Sequence, residues 1–344
     1  MPTPGAAALL AVAAALTAWA VVGAITELAR RRQWLDRPND RSLHTNPTPR
    51  LGGIGIVAGV GAAGAIAQLT GPWAFPWPLV LLGASVASVS LIDDLRGLPV
   101  ALRFAVHLAA AVAAMLVYGA VDAVGLGQGE ALALGWAAAP LTALWIVGFV
   151  NAFNFMDGID GLAGGQALVA GLAWIAMGWA TGQSAPVVLG VALASASLGF
   201  LRHNWSPART FMGDVGSAFL GFLLATLPLL AAPRRAFAVP AVLIVWPFVF
   251  DTTFTLLRRL SRRENVFTAH RTHLYQRLTQ SGWPHARVAA LYMALAAGGA
   301  AIAVPMARNA LPAWLGIAIV AAAAAALWAF VASRERRLGG AGRT

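Results

Sequence analysis

The sequence contains no cysteine. That excludes disulfides and thiolate metal sites, and leaves the redox compartment open. It contains no lysine either: all 24 basic residues are arginine. Charge is scarce altogether, at 11% of residues, against about 25% in an ordinary soluble domain. A chain that is 59% apolar, with a mean hydropathy of +0.72, cannot cover a globule with polar surface. These deficits point to an integral membrane protein. No cleavable leader is expected either. The first apolar run, Ala6 to Leu28, lacks a charged n-region and is followed by Arg30, Arg31 and Arg32. It reads as an uncleaved span with its basic end in the cytoplasm.

What is present is a series of apolar runs. A spanning helix needs about 20 mostly apolar residues. Eleven stretches qualify: 6–28, 52–70, 75–92, 99–119, 131–150, 162–181, 185–201, 215–232, 236–257, 287–306 and 311–331. The fifth is the weakest, and Pro140 is placed to kink it. The expected fold is all-α, a polytopic membrane bundle of about eleven spans forming a single domain over residues 1–344. Its core motifs lie in 36–278, two further spans in 287–331 and a tail in 332–344. Eleven spans put the N-terminus outside and the C-terminus in the cytoplasm. Only Arg234, Arg235 and Arg308 then face outward, and the other 21 arginines lie inside. The formal net charge of +11 is thereby explained as topology rather than nucleic-acid binding.

The scarce polar residues gather on the cytoplasmic connections. LIDDLRGL carries Asp93 and Asp94. Adjacent carboxylates near hydrocarbon are costly unless a divalent cation shares them, or unless they end a solvated helix with Arg96 as partner. In NAFNFMDGIDGLAGG, Asn151, Asn154 and Asp157 recur every three residues, so a helix would give them one face; Asp160 follows three further on. Their oxygens suit Mg²⁺ with phosphate, and Asp157 or Asp160 could equally cap a helix. FMGDVGS places Asp214 before an apolar run, as an N-cap or as a carboxylate beside phosphate-binding amides, with Phe211 just ahead. The loop RRLSRRENVFTAHRTHLYQRL holds His270, Arg271 and His273, suited to a diphosphate or to anionic lipid headgroups. LDRPNDRSLHTNPTPRLGG adds His44 and Arg50, with the same two readings. Asp251 lies inside the ninth span, either functional or paired with Arg258 or Arg259.

In this order, DDLRGL, NAFNFMDGIDGLAGG, FMGDVGS and HRTHLYQRL resemble the polyprenyl-phosphate N-acetylhexosamine-1-phosphate transferases, over about Asp36 to Leu278. The loop HRTHLYQRL departs from the run of three histidines common in that family, and together with PNDRSLHTNPTPRLGG it looks most like the O-antigen-initiating branch. The resemblance implies that an N-acetylhexosamine 1-phosphate passes from a UDP-sugar to undecaprenyl phosphate, with UMP released, at the cytoplasmic face of the bacterial inner membrane. It implies Mg²⁺, with Mn²⁺ as a substitute. It assigns Asp214 and Asn154 to the metal, and Asp93, Asp94, Asp157 and Asp160 to catalysis. Asn151, Phe211, His270, Arg271, His273, Arg50 and His44 would bind substrate, with Phe211 stacking on uracil. A homodimer and contacts with membrane lipids are compatible with it. The alternative class is a transporter or channel, whose ionisable residues would sit at mid-bilayer in matching halves.

Overall fold

Helix α1 (Pro4–Arg31) shows how this chain starts and stops a span. Thr3 caps it by accepting from the Ala6 amide at 3.3 Å, Pro4 opens it, and Arg30 and Arg31 close its last turn. The computed structural model describes residues 1–38, 43, 46–71, 75–127, 129–266, 268 and 270–341, and twelve more helices follow among them. They are α2 (Gly53–Thr70), α3 (Trp77–Arg96), α4 (Val100–Tyr118), α5 (Ala138–Phe155), α6 (Leu162–Thr181) and α7 (Ser184–Asn204). Then come α8 (Asp214–Thr226), α9 (Arg235–Ile244), α10 (Trp246–Ser261), α11 (Leu274–Gln280), α12 (His285–Ala307) and α13 (Ala313–Ala341).

Among the described residues, nine helices are long and apolar enough to cross a membrane, α1 to α7, α12 and α13. The protein is a multi-pass, all-α membrane protein. Two of the eleven expected spans take another form. The eighth is α8 extended by a 3-10 turn to Leu230, too short to count with the nine. The ninth is broken into α9 and α10, which meet at Val245 with a bend of 74°. Pro247, in the first turn of α10, has no N–H to continue the ladder. Helix α12 braces the bend: Trp246 Nε1 donates to Leu295 O at 3.0 Å, and a Cβ on Gly299 would collide with Leu243 O.

Four short strands were not foreshadowed. Strands β1 (Leu35–Asp36) and β2 (Thr48–Pro49) pair before α2. Strands β3 (Ala123–Gly127) and β4 (Glu130–Ala133) form a hairpin between α4 and α5, turning on Gly127 and Gly129 at φ +92° and +88°. The fifth span therefore begins at Gly135 rather than 131 and runs on to Phe155, which takes Asn151 and Asn154 into its last turns.

Small residues let the helices touch. A Cβ on Gly53 would collide with the backbone of Gly216, and one on Gly171 would stand 2.7 Å from Ala194 N. Helices α6 and α7 form the buried centre, with Trp174 and Phe200 fully enclosed. The Gly53–Gly216 contact fixes where α2 meets α8, and that junction builds the site.

Candidate functional site

The segment before α2 runs alongside the segment before α8. Phe211 N donates to Pro49 O at 2.8 Å, Gly52 N to Phe211 O at 2.9 Å and Gly53 N to Met212 O at 2.8 Å. This ladder sets Arg50 and Phe211 on one wall of a cavity. Next comes Gly213, whose φ of +74° suits a residue without Cβ. A Cβ there would also stand 2.9 Å from Asp94 Oδ2. The turn aims the start of α8 at the end of α3. Asp94 Oδ2 accepts from Val215 N at 3.1 Å, so one carboxylate of the aspartate pair is fastened to the free amides of a neighbouring helix.

Asp93 is engaged elsewhere. Its Oδ1 accepts from Leu98 N at 2.6 Å and its Oδ2 from Arg103 Nη1 at 2.5 Å. The same Nη1 reaches Asp214 Oδ2 at 3.3 Å. Arg103, in the first turn of α4, thus ties α3, α4 and α8 together; it, and not Arg96, is the partner of Asp93. Sequence reasoning passed over Arg103, although an arginine just inside an apolar run is itself a signal.

The third wall is the end of α5. Asn154 Oδ1 accepts from Ser217 Oγ at 2.9 Å, and the Asn154 side chain also hydrogen-bonds the Asp214 carboxylate. Asp157 follows two residues after the helix ends. Burial pushes its carboxyl well above the usual carboxylate range, and the charges of Asp214 and Asp94 push it the same way. Beside it, a Cβ on Gly158 would collide with the Tyr275 hydroxyl, which donates to Phe155 O at 3.1 Å.

The cavity holds about 380 Å³, and Arg50, Asp94, Asn154, Asp157, Asp160, Phe211 and Asp214 all line it. Gln276 and His285 line it as well. The structure turns Asp160 toward a bracing role: its Oδ2 lies 3.3 Å from His285 Nδ1 and accepts from Ala208 N at 3.2 Å. Burial alone would raise the Asp160 carboxyl; the His285 bond and charge, helped by Ala208 and Ser206, outweigh it and hold it below the usual range. Asn204 is a brace: it accepts from Gly161 N at 2.9 Å and donates to Thr210 O at 2.9 Å.

Other expected residues stand apart from the cavity lining. Asn151 spends its amide on Val147 O, one turn back in α5. His273 is buried with Nδ1 3.2 Å from Asp251 Oδ1. The His270 ring lies tilted beside it, centroids 5.0 Å apart, and burial, then His273 and Arg259, lower its pKa to about 4. Arg271 follows in the same loop, and its backbone oxygen accepts from Gln280 Nε2 at 3.0 Å. His44 lies outside the described residues. Asp251 does not pair with Arg258 or Arg259, as the sequence allowed; it faces His273 and Tyr292.

Among the described residues, no three acidic, histidine or cysteine side chains stand together as a ready-made metal cluster. Mg²⁺ does not require one, since it keeps waters and binds one or two carboxylates plus substrate phosphates. The donors here are carboxylates of Asp94, Asp157 and Asp214 and the amide of Asn154. They fit a hard, oxygen-seeking cation.

A membrane bundle with an acidic, arginine-flanked cavity at one rim defines an enzyme that handles charged groups beside lipid. The description "Glycosyl transferase family 4" matches residues 77–232, from α3 through the turn after α8. The chain is 33% identical over 281 residues to a probable undecaprenyl-phosphate N-acetylglucosaminyl 1-phosphate transferase of Bacillus subtilis, covering 78% of this chain and 76% of that one. It is 34% identical over 336 residues to a decaprenyl-phosphate N-acetylglucosaminephosphotransferase of Mycobacterium tuberculosis, covering 86% and 81%. It is 27% identical over 268 residues to the undecaprenyl-phosphate alpha-N-acetylglucosaminyl 1-phosphate transferase of Escherichia coli, covering 75% and 72%. The chain belongs to this family of polyprenyl-phosphate sugar-phosphate transferases, and the enzyme class displaces the transporter alternative.

Proposed function

We propose that the protein transfers an N-acetylhexosamine 1-phosphate, GlcNAc or a related amino sugar, from a UDP-sugar to undecaprenyl phosphate. The single observation that carries this reading is the convergence of Asp94, Asp157, Asp214 and Arg50 on one cavity, in a chain of this family. A phosphate oxygen of the lipid attacks the sugar-bearing phosphorus of the donor. The bond from that phosphorus to the bridging oxygen breaks, and UMP leaves with that oxygen. The product is undecaprenyl diphosphate sugar, the first lipid-linked unit of O-antigen or another cell-envelope polysaccharide.

Two anions must meet among carboxylates, so charge management dominates the barrier. Mg²⁺ bound through Asp214, Asp157 and Asn154 would neutralise the donor diphosphate and the departing UMP. Arg103 holds Asp93 and Asp214 in place, and Arg50 stands across the cavity as a phosphate partner. Asp94, fastened to the start of α8, keeps the acceptor phosphate in line. A base is not demanded, because a phosphate monoester is already largely ionised near neutral pH, its second pKa being about 6. Phe211 offers its ring to uracil. The arginine distribution supports placing the cavity at the cytoplasmic face of the inner membrane.

The test is UMP release from UDP-GlcNAc, UDP-GalNAc, UDP-FucNAc and UDP-QuiNAc with undecaprenyl phosphate and Mg²⁺. Release with one of these donors, lost in the Asp94→Asn, Asp214→Asn double variant, is the expected result. Turnover that survives that double variant would overturn the site.

A further inference from the structure

Asp251 is fully enclosed, and none of the steps above uses it. Five donors converge on its carboxylate. Oδ1 takes Leu274 N at 2.8 Å, His273 Nδ1 at 3.2 Å and Thr255 Oγ1 at 3.3 Å. Oδ2 takes Tyr292 Oη at 2.6 Å and Tyr275 N at 3.0 Å. A carboxylate offers about four lone-pair sites, so this one is saturated and fixed in orientation.

Three of those donors belong to His273, Leu274 and Tyr275, the cap and first turn of α11. Helix α11 has only seven residues, too few to hold its own shape in water. Its position is therefore set by what grips it. At its far end, Arg277 binds Glu335 of α13 through both guanidinium and carboxylate, at 2.6 and 2.5 Å. At its start the grip is Asp251. What α11 presents is the wall of the cavity. Gln276 lines the cavity, and its Oε1 accepts from His273 N at 3.2 Å. Tyr275 closes over Gly158 and bonds Phe155 O, on either side of the turn that carries Asp157. One buried carboxylate on α10 is thus a single short helix removed from Asp157.

We propose that Asp251 is a positioning residue for the donor side of the transfer. By fixing His273 and the start of α11, it sets where Gln276 and the Asp157 turn stand in the cavity. The inference rests on the transfer reaction proposed above for its kinetic readout, and on the fold alone for its structural one.

The experiment compares the full-length protein with Asp251→Asn and Tyr292→Phe. Tyr292 hydrogen-bonds the same carboxylate from α12, through Oδ2 rather than the Oδ1 that takes His273 and Leu274. Hydrogen exchange is read on residues 272–280, and KM and kcat are read with the UDP-sugar found active. Positioning predicts that Asp251→Asn speeds exchange on α11 and raises KM by about tenfold. It predicts kcat within about threefold of the parent, and Tyr292→Phe lowering the melting temperature with KM unchanged. Unaltered exchange and KM in Asp251→Asn would overturn the proposal. So would a KM rise shared equally by Tyr292→Phe, the signature of general loosening. If Asp251→Asn does not fold, Asp251→Glu keeps the charge on a longer arm, and the same two readings decide with the same outcomes. A parent that turns over no UDP-sugar refutes the reaction and leaves the exchange result standing on its own.

Discussion

At the scale of single residues, the site is a problem of like charges. Asp94, Asp157 and Asp214 share a cavity, and Arg103 holds one of them together with Asp93. Replacing Arg103 by alanine leaves two aspartates without their common cation. We expect kcat/KM to fall about 10²-fold, with Arg103→Lys recovering part of it, because a single nitrogen, Nη1, serves both carboxylates. Steady-state kinetics on the purified variants read this. Asp157 gives a second prediction. Its raised pKa means that the metal-free protein holds a proton there at pH values where a free aspartate has lost it. A bound cation favours the carboxylate, so adding Mg²⁺ to weakly buffered protein should release protons, fewer of them as pH rises toward and past the raised pKa. Asp157→Asn should reduce that release, as followed with an indicator dye. Asp94, Asp157 and Asp214 were legible in the sequence because acids are so rare in it that motifs containing them stand out. Arg103 was not, because an arginine at a span end is absorbed by the topology rule. Asp251 was legible as odd but not as a cap, since its partners are more than 20 residues away.

At the scale of elements, glycines decide where helices can meet. Gly213 combines a φ of +74° with a Cβ direction blocked by Asp94. Gly213→Ala should cost about 1–3 kcal/mol of stability and displace Asp94 from the α8 amides, so activity should fall further than stability alone explains. Gly61, within α2, has nothing near its Cβ direction. Gly61→Ala should be neutral or stabilising by up to about 1 kcal/mol. Thermal unfolding in detergent compares the two. Most spans were legible as apolar runs of the right length. The break at Val245 was hidden, because hydropathy does not register a change of direction and a proline near a helix start is ordinary. The β3–β4 hairpin was hidden because three apolar residues of β4, Ala131 to Ala133, read as the start of the fifth span, which leaves β3 without a partner in the connection ahead of it.

At the scale of the whole molecule, the absence of cysteine becomes an asset. Any single introduced cysteine is the only thiol in the chain. With the cavity toward the cytoplasm, Asp122→Cys and Arg308→Cys in intact cells should react with a membrane-impermeant maleimide. Arg96→Cys and Arg262→Cys should react only after the cells are opened. The reverse pattern would invert the topology. The division of arginines is what this expected orientation rests on, whereas the linkage of the last helix to the site was not legible in the sequence, since Arg277 and Glu335 lie 58 positions apart.

That linkage reaches beyond mechanism. Glu335 and Arg334 sit in the final turns of α13, where Arg334 also reaches Ser281 O at 3.3 Å and lies over the Trp283 ring. These turns of α13 are therefore a buttress for α11. Anyone purifying the protein should treat them so: shortening the chain to Ala332, or a protease nick ahead of Glu335, would release one grip on α11 and weaken donor binding. An affinity handle is better carried at the N-terminal end, far from that joint.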